Sequence, residues 1–107
     1  MGAITELYDV IEERRKNFSE NSYTCYLFSQ GLDKILKKCG EECAEVIIAA
    51  KNGEKSATVG EISDLAYHVL VLCAEAGITP ADIGAELERR AEKIGNRKIT
   101  HATDHNT

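Results

Sequence analysis

Apolar residues recur along this chain at steps of three and four, the spacing of one helix face and not of a strand. Ile4, Leu7, Tyr8 and Ile11 place a first helix over about Ala3 to Lys16. A polar stretch from Asn17 to Asn21, broken only by Phe18, reads as a loop. Ser22, Tyr23 and Thr24 then offer N-cap hydroxyls for a short helix, Cys25 to Gln30. Gly31 marks a stop or a bend before the longest segment, which Asp33 is placed to cap. Leu32, Ile35, Leu36, Cys39, Cys43, Val46, Ile47 and Ala50 are its predicted buried stripe, and Gly53 ends it.

Glu54 to Thr58 reads as a polar turn, with Ser56 or Thr58 as the next cap. Ile62, Leu65, Ala66, Val69, Leu72, Cys73 and Ala76 form the next predicted face, closed by Gly77. Thr79-Pro80-Ala81-Asp82 restarts a helix, with Thr as cap, Pro at the first position and an acid at the third. Ile83, Leu87, Ala91 and Ile94 line it, and Gly95-Asn96 is expected to close it. No strand alternation, repeat or low-complexity segment interrupts this pattern. The expectation is an all-α bundle of four to five helices over residues 1–95, followed by a polar tail, 96–107.

Composition narrows the function. A chain of 107 residues fits one domain with a modest core. A net charge of -5 argues against a general nucleic-acid binder, which needs a basic face. A phosphorylated substrate stays open if metal ions and local Lys and Arg supply positive charge. No run of about 18 apolar residues offers a membrane span, and the N-terminus lacks the layout of a signal peptide. The expected location is the cytoplasm. Cys25, Cys39, Cys43 and Cys73 include no C-x-x-C pair. They read as small buried hydrophobes in a reducing compartment and not as a zinc site.

The chemistry concentrates opposite the long helix's apolar stripe. Glu41, Glu42 and Glu45 crowd together there, beside Lys34 and Lys38, and like charges so close repel. Glu61 and Asp64 repeat the three-residue spacing of Glu42 and Glu45 on the next helix. If the two helices fold back at Gly53 as an antiparallel hairpin, Glu45 is level with Glu61 and Glu42 with Asp64. Lys38 meets His68 one turn further on. An oxygen-rich set of this kind favours a hard cation, Mg²⁺ or else Mn²⁺, over zinc. The plain alternative is a solvated acidic face. Lys34, Lys37, Lys38, Lys51, Arg89 and Arg90 are the cations available to phosphate, Lys34 and Lys38 being favoured by their stripe. At most one of Arg89 and Arg90 can point into the site. His68 is a candidate base, substrate contact or hydrogen-bonded helix residue.

At these residues the chain resembles a known family. Glu41-Glu42-x-x-Glu45 with Glu61-x-x-Asp64 is similar to the metal motif of the all-α, MazG-like nucleotide pyrophosphohydrolases. Three further matches narrow the resemblance to phosphoribosyl-ATP pyrophosphohydrolase: Ser22-Tyr23-Thr24; Gly31-x-Asp33-Lys34-Ile35-Leu36-Lys37-Lys38-x-Gly40-Glu41-Glu42; and Asp64-Leu65-x-Tyr67-His68. The similarity runs from about Leu7 to Arg90; Cys25, Cys39 and Cys43 depart from it without damaging the motif. It implies Mg²⁺-dependent hydrolysis of phosphoribosyl-ATP to phosphoribosyl-AMP and pyrophosphate, the second step of histidine biosynthesis. It implies Glu42, Glu45, Glu61 and Asp64 as metal ligands, with Glu41 as a further ligand or water-positioning group. Glu41 or Glu45 would activate a water attacking at Pα or Pβ. Ser22, Tyr23, Thr24, Lys34, Lys38, His68 and Arg90 are the expected substrate contacts. Relatives of this architecture associate, so a homodimer is expected, with the site either held within one chain or completed across the interface. A house-cleaning nucleoside triphosphate pyrophosphatase and a non-enzymatic helical interaction module are the rival readings.

Overall fold

The computed structural model describes residues 2–96. They form five helices: α1 (Ala3–Lys16), α2 (Tyr23–Gln30), α3 (Leu32–Asn52), α4 (Lys55–Ala76) and α5 (Pro80–Asn96). No strand occurs among the described residues. Except for Asn96, which is the last residue of α5, the expected polar tail lies outside them.

The helix junctions follow from local chemistry. Ser22 Oγ accepts the Cys25 backbone N–H at 3.1 Å, which starts α2 at Tyr23, two residues earlier than its apolar pattern predicts. Gly31, at φ 94°, is a conformation that L side chains rarely adopt, and it lets α2 stop and α3 start within one residue. Asp33 therefore sits in the first turn of α3 and is not its cap. Gly53 closes α3 in the left-handed region at φ 79°. With the turn made so tightly, α4 begins at Lys55 with Glu54 as its N-cap residue. Ser56 and Thr58 lie inside the helix, where Thr58 Oγ1 donates to the Glu54 carbonyl at 2.8 Å instead of capping. The restart at Thr79 behaves as predicted: its N–H donates to Asp82 Oδ2 and its Oγ1 accepts the Asp82 N–H, a reciprocal capping box. The helix it opens continues through Gly95.

The core joins α1, α2, the start of α3 and the second half of α4. Tyr8, Ile11, Leu27, Ile35, Leu70, Val71, Cys73 and Ala74 are buried together, with Leu7, Phe28, Tyr67, Leu72 and Ile78 against them. Ile11, Leu27, Ile35 and Val71 are nearly free of solvent contact; each such side chain contributes about 1.5–3 kcal/mol through removal from water. Cys25 is buried as expected, and its Sγ approaches the Arg14 carbonyl at 3.3 Å, tying α2 to the end of α1. Cys43 is exposed, contrary to the buried role expected for it.

The predicted apolar stripes of the later helices face this core only in part: Ile35 of α3 and Cys73 of α4 are in it and Leu72 packs against it, while other members turn outward. On α3, Leu32, Leu36, Cys43, Ile47 and Ala50 are exposed, whereas Ile35 and Ala49 are buried. On α4, Ile62, Val69 and Ala76 are exposed while Leu70, Val71 and Ala74 are inside. On α5, Ile83, Leu87 and Ile94 all face out. α3 and α4 make the most extensive helix pair, and α5 leans on α1. α4 is also long and apolar enough to cross a membrane by length and composition alone, although its apolar residues form no unbroken run. Its central place against α1, α2 and α3 and its Glu61 and Asp64 mark it as a bundle helix.

Candidate active site

The hairpin of α3 and α4 gathers the acids. Ligand atoms of Glu42, Glu61 and Asp64 all lie within 4.8 Å of one another. Helix geometry explains the choice of Glu42. Seven residues are close to two turns, so Glu42 shares a line with Ile35 and Ala49, the two buried residues of α3. Its side chain is only 14% exposed. Glu45, the fourth expected ligand, is exposed and is not one of these three. It is still close enough to act electrostatically. Desolvation first, then the charges of Asp64, Glu45 and Glu42, raise the Glu61 pKa above the usual carboxylate value.

Three converging carboxylates form a donor set that suits a hard divalent ion. All the converging donors are oxygens, which disfavours zinc. Lys38 stands at the edge of the cluster, 3.3 Å from Glu41 and 3.9 Å from Glu42. Its bond to Glu41, foremost, raises its pKa, so it stays charged.

Beside the acids lies an aromatic and histidine layer. His68 is 6% exposed, and its Nδ1 meets the Asp64 carbonyl at 2.8 Å. A carbonyl only accepts, so Nδ1 carries the proton, and in the neutral ring Nε2 accepts from Tyr23 Oη at 2.9 Å. Both ring nitrogens are thus engaged by the protein. His68 thereby holds Tyr23 against the Asp64 backbone. Ser22 serves as the α2 cap, and Thr24 Oγ1 is hydrogen-bonded to the Tyr67 hydroxyl. These two residues frame Tyr23. Burial raises the Tyr23 pKa, while nearby Lys38 opposes the shift. Lys34 Nζ lies 5.7 Å from the centre of the Tyr26 ring.

Arg90 is not brought to this site within one chain. It lies on α5, where its Nε donates to Glu86 at 2.9 Å beside two bonds from Arg89. The bonds from Arg89 foremost, then that from Arg90, pull the Glu86 pKa down to about 2. Sequence reasoning left out Tyr26 and gave Tyr67 no role. Their signal was the three-residue spacing of Tyr23 and Tyr26 and the adjacency of Tyr67 to His68.

Residues 4–91 match the family model described as phosphoribosyl-ATP pyrophosphohydrolase. The phosphoribosyl-ATP pyrophosphatase of Pelotomaculum thermopropionicum is 59% identical over 90 residues, covering 84% of this chain and 92% of the relative. Its counterpart in Clostridium novyi is 53% identical over 89% of this chain and 86% of the relative. That of Lacticaseibacillus casei is 56% identical over 85% and 83%. With a family match over most of its length and relatives of more than half identity, the chain belongs to the phosphoribosyl-ATP pyrophosphohydrolase family.

Proposed function

We propose that this chain hydrolyses phosphoribosyl-ATP to phosphoribosyl-AMP and pyrophosphate, the second step of histidine biosynthesis, in the cytoplasm. The observation that carries the reading is the convergence of Glu42, Glu61 and Asp64 in a member of this family. These three carboxylates would hold Mg²⁺, with Mn²⁺ as a substitute. The bound ion would supply charge neutralisation on the phosphate oxygens and the pyrophosphate leaving group.

The other residues divide the remaining work. Glu41 is tied to Lys38, whereas Glu45 lies near enough to Glu61 for its charge to act there. Glu45 is therefore the favoured group to take the proton of the attacking water, with Glu41 keeping Lys38 in place. Lys38 and Lys34 are the cations of the stripe, set to meet phosphate oxygens. Tyr23 is held by His68, and through it by the Asp64 backbone, so one side of the substrate pocket is fixed to the acidic centre.

The active form would be a homodimer whose α5 completes the site. The apolar stripes left open on α3, α4 and α5 suit a second copy, which would share the same three faces. Arg90 lies on the same helix line as exposed Ile83, Leu87 and Ile94. Covering that line with a second copy would carry Arg90 away from its own cluster and toward the partner's acids.

The test is pyrophosphate release from phosphoribosyl-ATP, dUTP, dCTP and ATP, with Mg²⁺ and with EDTA. Rapid, EDTA-sensitive release from phosphoribosyl-ATP alone is the expected result. Preference for the deoxynucleotides would reassign the substrate, and no release from any of them would remove the enzymatic reading.

A further inference from the structure

The aromatic layer extends beyond Tyr23. Tyr23 and Tyr26 lie three residues apart on α2 and are 45% and 43% exposed. Their ring centres are 6.1 Å apart with planes inclined by 27°. Tyr67 continues the series on the other side of Tyr23, at 6.2 Å and 29°. Tyr67, Tyr23 and Tyr26 thus form a fan of rings, each inclined to its neighbour by less than 30°. The inner members are fastened: Tyr23 to His68 and Tyr67 to Thr24. Tyr26 is the open end.

The order of chemistry across this surface is the telling feature. Carboxylates stand at one end, in Glu42, Glu61 and Asp64. Ammonium groups follow, with Lys38 at Glu42 and Lys34 one helical turn before it, 5.7 Å from the Tyr26 ring. Aromatic faces stand at the other end. A metal-bound pyrophosphate, phosphate oxygens and a flat base fall in that same order along a nucleotide. Exposed aromatic rings are a stacking surface for a base, because every base has a π-face. Lys34 above an exposed ring is a weak, solvated contact that an incoming base can displace.

We propose that Tyr26, with the edge of Tyr23, is the seat of the substrate's purine base. This rests on the nucleotide pyrophosphohydrolase reading above. Tyr26 then acts as a specificity-determining residue, separating base-bearing substrates from bare sugar phosphates, with no part in the hydrolytic step.

The chain contains no Trp, so Tyr26→Trp installs a single indole reporter at the seat. Titration with phosphoribosyl-AMP and Mg²⁺ is expected to quench its emission saturably, whereas ribose 5-phosphate leaves it unchanged. Tyr26→Ala is expected to raise KM for phosphoribosyl-ATP about tenfold, with the loss falling on KM and not on kcat, and Tyr26→Phe to restore the original KM. Unquenched emission in a preparation that still turns over phosphoribosyl-ATP would overturn the base seat alone. So would an unchanged KM in Tyr26→Ala. Absence of turnover by the unmodified chain would overturn the seat and the enzymatic reading together.

Discussion

The two sides of α3 reverse the usual arrangement of a helix in a small bundle. Its inward line carries Lys38 and Glu42 between Ile35 and Ala49, and it packs on α4. Its apolar line, through Leu32, Leu36, Cys43 and Ile47, faces out. An amphipathic helix normally turns its apolar stripe to the core because burial is favourable in proportion to apolar area. The reversal makes sense if the inside of the hairpin is a reaction site and the outside is a core shared with a second copy. The polar line is then kept inside by function, and the apolar line is kept dry by association.

The largest effects should come from the inward line. Glu42→Gln and Glu61→Gln are each expected to reduce turnover about a thousandfold or more while leaving helix content intact. Each should also abolish the rise in melting temperature that Mg²⁺ produces. Glu45→Gln should reduce turnover by about 10²–10⁴, as for loss of a general base, yet keep the Mg²⁺-linked rise. Pyrophosphate release and melting curves on the three variants separate ligand from base. A Glu45 variant that lost both responses would return Glu45 to the ligand set and enlarge the inward site.

The outward line makes the opposite prediction. Ile47 is 64% exposed in one chain, so a monomer should tolerate Ile47→Asp within about 0.5 kcal/mol. In a homodimer closed over that line, the same substitution buries a charge and costs several kcal/mol, on the order of a lost interface. Light scattering should give a dimer mass for the unmodified chain and a monomer mass for the variant. A monomer in both cases breaks the comparison, because the apolar line would then have no partner.

Mg²⁺ itself should act on the inward line by mass action. At about a hundred times its dissociation constant it is expected to add about 2.7 kcal/mol, or roughly 10 °C in melting temperature. EDTA should reverse the gain. A melting temperature indifferent to Mg²⁺ would favour a solvated acidic face and leave α3 with no reason to bury its polar side.

Much of this was legible in the sequence, and the exceptions share a cause. Helix order and ends were readable because caps and glycines act locally: Thr79 with Asp82, Gly53, Gly77. The height of Glu42 against Asp64 followed from the tight turn at Gly53. The facing of the stripes was not readable, since periodicity reports where apolar area lies and not which body will cover it. The burial of Glu42 was hidden for the same reason, as its line looked like the polar side. Ser56 and Thr58 misled because helix pairing overrode local capping preference and started α4 at Lys55. Arg90 was drawn toward the site by the need for a cation, while the fold keeps its helix on α1.

A conventional corner of the molecule provides the smallest and cleanest control. Tyr8 is buried between α1 and the α4–α5 turn, where its hydroxyl is shared between Glu12 Oε2 at 3.0 Å and the Ile78 carbonyl at 2.9 Å. Desolvation, then the bond to Glu12, raises its pKa above the ordinary tyrosine value of 10.0. A raised acid favours its neutral form in the fold. The stability it brings is therefore complete below pH 10 and is lost as pH climbs through the raised folded value. Tyr8→Phe is expected to cost about 1 kcal/mol at neutral pH. It should also flatten the alkaline fall in stability, read from denaturant midpoints between pH 8 and 11. Turnover at neutral pH should not change, because nothing at this corner touches the acids of α3 and α4. A loss of turnover matching the loss at Glu42 would mean that the ordinary core and the reversed hairpin are coupled. The inward line of α3 would then owe its polar burial to the whole bundle and not to the site alone.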